Sequence, residues 1–119
     1  MNKIKLGILG LALGCSVNAA AECVAPEKPS LPDGGSATME QMLGGQKAVK
    51  EFQSANLEYM ACLEPQIAAA RTELEAGAKD AADTIKQLEA SYNDAVSVEE
   101  EVAGQFNTEI REYKAANPG

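Results

Sequence analysis

Three cysteines, Cys15, Cys23 and Cys62, are the residues of this sequence with the most distinctive chemistry. Cys23 and Cys62 lie 39 residues apart, whereas catalytic dithiols typically lie close together as Cys-x-x-Cys. Because the chain has no histidine, these two thiols would leave a tetrahedral zinc site half empty. We therefore expect a structural disulfide between Cys23 and Cys62, with no metal and no cofactor.

The 18 aspartates and glutamates are the other candidates for chemistry. Without histidine, the commonest general base is missing, and so are the Ser-His and Cys-His nucleophile pairs. Two carboxylates act as acid and base only where they converge in a concave, partly dry pocket. The run 99–101 and the pair Asp80 and Asp83 lack the spacing of a calcium loop, which indicates solvated helix faces. We expect no catalytic residue.

Residues 1–21 have the pattern of a secretory signal peptide. Two lysines precede an apolar run over residues 6–14, and small residues follow it. Cleavage after Ala19 or Ala21 removes Cys15 and gives a secreted or periplasmic protein. In the alternative, the Ala-Leu-Gly-Cys sequence ending at Cys15 acts as a lipobox, which gives a lipid-anchored envelope component acylated at Cys15. Both schemes leave the other two cysteines as a pair in an oxidising compartment.

Charge and hydropathy exclude two classes of partner. The formal charge of −8 becomes −10 when Lys3 and Lys5 leave with the signal peptide. Nucleic acid and anionic membrane surfaces are poor partners for such a chain, because they bind clustered lysine and arginine. The apolar run over residues 6–14 is about half the roughly 20 residues that a transmembrane helix needs, and no later stretch is long enough. We expect no transmembrane span.

Residues 22–36 form a proline-rich segment, which we name the strap. Pro26, Pro29 and Pro32 recur every three residues, the repeat of a polyproline II helix, so they should share one face. The Asp-Gly-Gly sequence at residues 33–35 predicts a turn at the end of the strap.

Residues 37–117 predict an all-α antiparallel helical hairpin. Apolar residues recur three, four or seven positions apart through residues 39–74 and again through 85–113. Gly77 lies between these two runs of about equal length, so we place the reversal there. Most methionines and aromatic residues of these runs are expected in the core: Met39, Met42, Phe52, Tyr59, Tyr92, Phe106 and Tyr113.

Thr38 followed by Gln41 matches a capping box at the start of the first helix. Pro65 leaves two alternatives for the helix interior, since a proline there costs about 3 kcal/mol. The helix either kinks at Pro65 or ends near Glu64, with a short extra helix following.

A comparison of lengths connects the strap to the first helix. Polyproline II from Cys23 to Ser36 covers about 40 Å, and the helix from Ala37 to Cys62 climbs about 38 Å. The strap can therefore run antiparallel along the helix and place Cys23 beside Cys62. The resulting loop of roughly 40 residues predicts a stabilisation of about 4 kcal/mol.

Two sets of residues are not explained by the hairpin core. Gly44 and Gly45 precede Gln46 and Lys47 without the spacing of a phosphate-binding loop. They indicate either a close approach of the strap or a partner, or a flexible first turn. Because two helices and a strap leave apolar surface uncovered, we expect a partner surface at the apolar residues outside the main stripes: Leu43, Leu57, Met60, Val96 and Val98.

The strap and first helix resemble the pancreatic polypeptide fold, in which a proline helix lies on an α-helix. The chain also resembles a family of small uncharacterised secreted helical proteins of proteobacteria. The similar residues are Cys23, Leu31 to Gly34, Gln46, Val49, Phe52, Tyr59, Cys62, Leu63, Phe106, Arg111, Tyr113 and Lys114. The family resemblance implies export and a helical shape, and it implies no activity.

The function expected from the sequence is that of a secreted or periplasmic, non-enzymatic helical protein that acts through protein–protein interaction. Its partner is either an unknown protein or a second copy in a homodimer. The lipid-anchored component acylated at Cys15 is the alternative, and it differs in how the protein is retained in the envelope.

Overall fold

A computed structural model describes residues 22–119 of the chain. In this part the chain forms two α-helices and no strand, with α1 at Met39–Glu75 and α2 at Ala81–Ala116. The helices pack against each other as an antiparallel hairpin, which confirms the expected all-α fold. The signal peptide predicted over residues 1–21, with Cys15, lies outside the described residues.

The first turn of α1 is capped by the side chains of Thr38 and Gln41. Thr38 accepts a hydrogen bond on its hydroxyl from the Gln41 backbone N–H at 3.1 Å, and the Gln41 side chain accepts one from the Thr38 N–H at 2.9 Å. This reciprocal pair is the predicted capping box. It satisfies two backbone N–H groups that have no acceptor within the helix.

A glycine turn ends α1 and reverses the chain. The Ala78 N–H donates to the Glu73 carbonyl and the Gly77 N–H donates to the Leu74 carbonyl, which is the Schellman pattern. Gly77 has a φ of 101°, a conformation that a Cβ atom disfavours. Gly77 therefore lies in the connection between the helices because the turn requires positive φ.

Pro65 lies inside α1, which continues for ten residues beyond it to Glu75. The alternative of a helix end near Glu64 with a short extra helix is wrong. Pro65 removes one N–H donor, and the carbonyl that loses this donor belongs to Ala61. Both residues are exposed, so water can hydrate that carbonyl.

Each helix buries one stripe against the other. The main cluster combines Met42, Val49 and Phe52 of α1 with Val102 and Phe106 of α2. Towards the reversal, the buried residues are smaller on α2 than on α1: Met60, Leu63, Ile67, Ala70, Ala81 and Ala95. The helical repeat predicted from the sequence therefore provides the core of the hairpin.

The strap runs antiparallel to α1, anchored by the disulfide between Cys23 and Cys62. Their Cα atoms lie 5.7 Å apart, and the predicted disulfide is confirmed. At the other end of the strap, the Ser36 and Ala37 N–H groups donate to the Asp33 carbonyl, which forms a turn. The strap thus connects the middle of α1 to its beginning along the outside of the hairpin.

The strap lies in the groove between the helices and contacts both of them. Lys28 pairs with Glu101 of α2 at 3.3 Å, and the Gly34 N–H donates to the Glu109 carboxylate at 2.9 Å. Pro32 lies so close to α1 that a Cβ on Gly45 would be 2.7 Å from its Cδ. This arrangement departs from the pancreatic polypeptide resemblance, in which the proline helix covers a single α-helix.

The three-residue repeat of the strap fits this groove. Pro26, Pro29 and Pro32 are partly buried, while most residues between them are exposed. Close approach of Pro32 also explains Gly45, which is buried. A Cβ atom on Gly44 would meet no other atom within 4 Å, so strap contact does not explain this second glycine.

Candidate functional site

The two sides of the hairpin differ in what covers them. On one side the strap fills the groove between α1 and α2. On the opposite side the groove is open, and we name this side the uncovered face. Its defining residues are Met39, Leu43, Leu57, Glu64, Ala68 and Arg71 of α1, with Glu89, Tyr92, Val96, Ile110 and Lys114 of α2. The helical repeat adds Lys50 of α1, seven residues from both Leu43 and Leu57.

Helical periodicity places these residues on one side. In α1, Leu43, Lys50, Leu57, Glu64 and Arg71 follow each other at intervals of seven residues, which is close to two turns. The strap anchors Cys62 and Gly45 lie on the other side of the same helix. One face of α1 therefore binds the strap, and the opposite face is left to solvent.

Large apolar side chains remain exposed on the uncovered face. Leu57 is 58% exposed, Leu43 is 57% exposed and Val96 is 37% exposed. These three residues belong to the partner surface predicted from the sequence. Each side chain removed from water stabilises a complex by about 25 cal/mol for every Å² of apolar area buried. The exposed groups can therefore contribute to binding.

Three expectations about apolar positions are wrong. Met60 is only 6% exposed, because its position on α1 turns it towards α2, so it belongs to the core. Val98 is partly buried and packs against the main core cluster. Met39, expected in the core, is 57% exposed because it is the first residue of α1, at the open end of the hairpin.

A buried polar contact fixes how the helices align. Asn56 is 2% exposed, and its side-chain amide donates to the Ala95 carbonyl at 3.0 Å. Sliding one helix along the other would leave that amide without its acceptor, which costs roughly 1 to 3 kcal/mol. The contact holds the neighbouring residues Leu57 and Val96 at the same level, near the middle of the hairpin.

Two shallow cavities lie along the uncovered face. The open-end cavity, about 330 Å³, is lined mainly by apolar side chains, including Met39, Leu43 and Ile110. The loop-end cavity, about 450 Å³, is lined by Glu64, Ile67, Ala68, Arg71, Glu89, Tyr92 and Asn93. Both cavities open to solvent, so they suit side chains of a docked protein better than an enclosed small molecule.

The loop-end cavity is bordered by polar groups. Arg71 of α1 pairs with Glu89 of α2 at 2.7 Å, and the Tyr92 hydroxyl donates to the Glu64 carboxylate at 3.5 Å. The Arg71–Glu89 pair is largely exposed, so its contribution to stability is below about 1 kcal/mol. These groups define the rim of the cavity and hold its two walls together.

One carboxylate cluster is present within residues 22–119. Oxygens of Asp33, Glu109 and Glu112 lie within 4.8 Å of one another, so this is where a cation would find the most oxygen ligands. Glu109 also accepts the hydrogen bond from the Gly34 N–H. The cluster thus joins the strap to α2. It escaped the sequence analysis because Asp33 and Glu109 are distant in sequence.

The cluster raises the pKa of Glu112 above its ordinary value. The main cause is Glu109, which hydrogen bonds to the protonated Glu112 carboxyl and repels its charged form. Asp33 adds further repulsion, and Arg111 acts in the opposite direction. The end of the strap is therefore held beside carboxylates that repel one another at neutral pH.

Comparison with known proteins identifies no relative of this chain. No protein-family model matches the sequence, no curated protein matches it, and no solved structure matches the fold. The resemblance to secreted helical proteins of proteobacteria therefore stays a prediction. In residues 22–119, neither α1 nor α2 contains a stretch that is both long and apolar enough to span a membrane.

Proposed function

We propose that the protein is exported and acts, without catalysis, by binding a protein partner through the uncovered face. The observation that carries this proposal is the difference between the two sides of the hairpin. The strap covers one groove, whereas the other keeps Leu43, Leu57 and Val96 exposed. On the strap itself, Val24 is the one large apolar residue among residues 22–36 that is exposed to this extent. Apolar surface concentrated on one side of a small protein is typical of an interaction site.

Export is supported by two features that do not depend on each other. The first is the N-terminal pattern of two lysines, an apolar run and small residues. The second is the disulfide between Cys23 and Cys62, since disulfides persist in oxidising compartments. Intact mass of the protein from its native envelope tests the scheme. A mature N-terminus at Ala20 or Glu22 indicates a free protein, and a diacylglyceryl mass on Cys15 indicates the lipid-anchored alternative.

A binding role without catalysis is supported by the residue types of the chain. There is no histidine, so the commonest general base is missing. The polar groups beside the loop-end cavity, Glu64, Arg71 and Glu89, are exposed to water. Acid and base catalysis by carboxylates needs a concave, partly dry pocket, and these exposed groups do not enclose one.

Site-specific photocrosslinking tests the proposal. A photoreactive amino acid replaces Leu57, which lies at the middle of the uncovered face. The matched control carries it at Glu51, an exposed residue of α1 that lies about 120° around the helix from Leu57. After irradiation of the cells that make the protein, we expect a discrete crosslinked product from position 57 and none from position 51. Equal labelling at both positions, or none at either, would contradict the proposal.

A further inference from the structure

When one copy of the uncovered face is turned end for end and placed against another, opposite charges of the two copies meet. Lys50 and Glu64 both lie seven residues from Leu57, on opposite sides of it. Seven residues are close to two helical turns, so all three side chains project in nearly the same direction. Within residues 22–119, neither Lys50 nor Glu64 forms an ion pair with another side chain. Both charges are available to a partner.

Further charged residues lie along the uncovered face. Lys50 and Lys114 lie towards the open end of the hairpin, and Lys114 lines the open-end cavity. Glu64 and Glu89 line the loop-end cavity, where Arg71 already neutralises Glu89. On α1, the positive Lys50 therefore lies towards the open end and the negative Glu64 towards the loop end. On α2 the charges are mixed, because the seven-residue repeat that joins Asn93 to Lys114 also carries Glu100 and Lys86. The acidic cluster that contributes to the net charge of the chain lies on the strap side instead.

The shape of the uncovered face also suits a second copy that is turned end for end. Leu43 projects from the open end and lies fourteen residues from Leu57, and Arg71 lies fourteen residues from Leu57 in the other direction. A second face, turned end for end, would place its Leu43 over the loop-end cavity beside Arg71. The apolar walls of that cavity, Ile67 and Ala68, offer contact to a leucine side chain.

The available area suits a stable dimer. A helix as long as α1 spans about 55 Å, and two packed helices present a strip about 15 Å wide, which gives about 800 Å². A typical specific interface buries about this area on each partner. A second copy can therefore cover the uncovered face along its full length.

We propose that the occupant of the uncovered face is a second copy of this chain, which deepens the proposed function by naming its partner. The two hairpins pair face to face about a two-fold axis perpendicular to the helices, at the level of Leu57 and Val96. Each α1 packs antiparallel to the other α1, and the product is a four-helix bundle. Leu57 meets its counterpart at the axis, and each Lys50 pairs with Glu64 of the second copy.

Charge reversal tests the predicted pairing. Sedimentation equilibrium measures the dimer Kd of the mature chain and of the variants Lys50→Glu and Glu64→Lys. Each substitution places like charges opposite one another at two symmetric contacts, so we expect the Kd to rise at least about tenfold. The matched controls are Lys28→Glu on the strap, which lies on the opposite side of the hairpin, and Glu58→Lys at an exposed position about 100° around α1 from Leu57. They make the same charge changes outside this face, and we expect little effect from them.

Recombining the reversed charges gives the sharper result. In the double variant Lys50→Glu/Glu64→Lys every contact is again between opposite charges, so the wild-type Kd should return. An equimolar mixture of the two single variants should form heterodimers in preference to either homodimer, because only the mixed pair matches. Both effects require the antiparallel pairing about Leu57, since a different register would not bring positions 50 and 64 together.

Two outcomes overturn the inference. One is a wild-type chain that stays monomeric at high concentration, and the other is reversal at positions 50 and 64 with no more effect than the controls. Crosslinking at Leu57 then shows whether the proposed function fails together with self-association. A monomeric chain that crosslinks to a different protein contradicts self-association and leaves the proposed function intact. A monomeric chain with no crosslink from Leu57 contradicts both.

Discussion

The strap side and the uncovered side of this hairpin are built from the same two helices but bury their surfaces differently. On the strap side, the chain supplies its own third layer, held by the Cys23–Cys62 disulfide at one end and by the Gly34–Glu109 hydrogen bond at the other. On the uncovered side, Leu43, Leu57 and Val96 have no such cover within residues 22–119.

The comparison shows how little two helices can bury alone. Each helix hides one stripe against the other, and the surfaces on both sides of that contact stay open to water. A proline-rich segment covers one of them because its three-residue repeat fits a narrow groove without needing backbone partners inside it. On the other side, leucine and valine side chains stay exposed, and this exposure is the basis of the proposed interaction.

The disulfide supports the largest predicted effect. Replacing Cys23 and Cys62 by serine removes a covalent loop of roughly 40 residues, so the free energy of unfolding should fall by about 4 kcal/mol. Chemical denaturation of a protein that comprises residues 22–119 measures this, and reduction of the wild type should reproduce it. The serine variant serves as control, since reductant should leave it unchanged. If reductant leaves the unfolding curve of the wild type unchanged, the disulfide-anchored strap contributes little to stability.

Gly34 gives the next largest effect. A Cβ atom at this position would overlap the backbone carbonyl of Glu109, so Gly34→Ala must lift the strap from α2. We expect a loss of about 2 kcal/mol, the usual scale for overpacking. Gly35→Ala is the matched control, because its Cβ would lie 3.5 Å from Asp33 Oδ1, an ordinary contact. If both variants unfold alike, the strap does not approach α2 as described.

Gly44 and Gly45 are adjacent, but only Gly45 lies against the strap, whereas Gly44 faces open space. Gly44→Ala should stabilise the protein by about 1 kcal/mol, because alanine favours the helix and nothing obstructs its Cβ. Gly45→Ala brings the same helical gain but crowds Pro32 and Phe106, so we expect a net loss of about 1 kcal/mol. Thermal unfolding of the two variants should shift in opposite directions. Equal stabilisation would contradict the strap position.

Glu112 supports the smallest effect, which depends on pH. Its pKa is raised in the folded state, so folding favours the protonated form, and stability falls as pH rises through that pKa. Glu112→Gln is neutral at every pH and should raise the Tm slightly at pH 7, with the difference shrinking under acidic conditions. Glu58→Gln, on exposed α1 surface, controls for net charge. A gain that persists at low pH would exclude carboxylate repulsion as its cause.

Local patterns predicted a large part of the fold. The capping box at Thr38, the apolar repeat of each helix and the proline spacing of the strap all depend on residues close together in sequence. The pairing of Cys23 with Cys62 was predicted because they are the two cysteines that remain after either cleavage scheme, and the comparison of lengths showed that the strap can bring them together. Pro65 was less informative, because the cost of a proline is offset by tertiary packing on both sides of it, and the sequence does not show that balance.

The candidate site was predicted only in part, for a reason visible at Met60. Leu57 and Met60 lie within one turn of α1, and both fall outside the simplest apolar stripe, yet the first is exposed and the second is buried. A small rotation of the helix decides between them. That rotation is set by contacts with the other helix, such as the one between Asn56 and Ala95, which residues 39 positions apart in sequence do not reveal.

The sequence by itself determined that the chain forms two helices, a proline-rich strap and a disulfide between them, because each depends on local periodicity or on chain length. Only the tertiary structure decided that the strap lies between both helices and contacts α2 through Gly34 and Lys28. That placement depends on close packing between segments about 75 residues apart in sequence. It also decides which face remains open, and therefore which apolar residues are available to a partner.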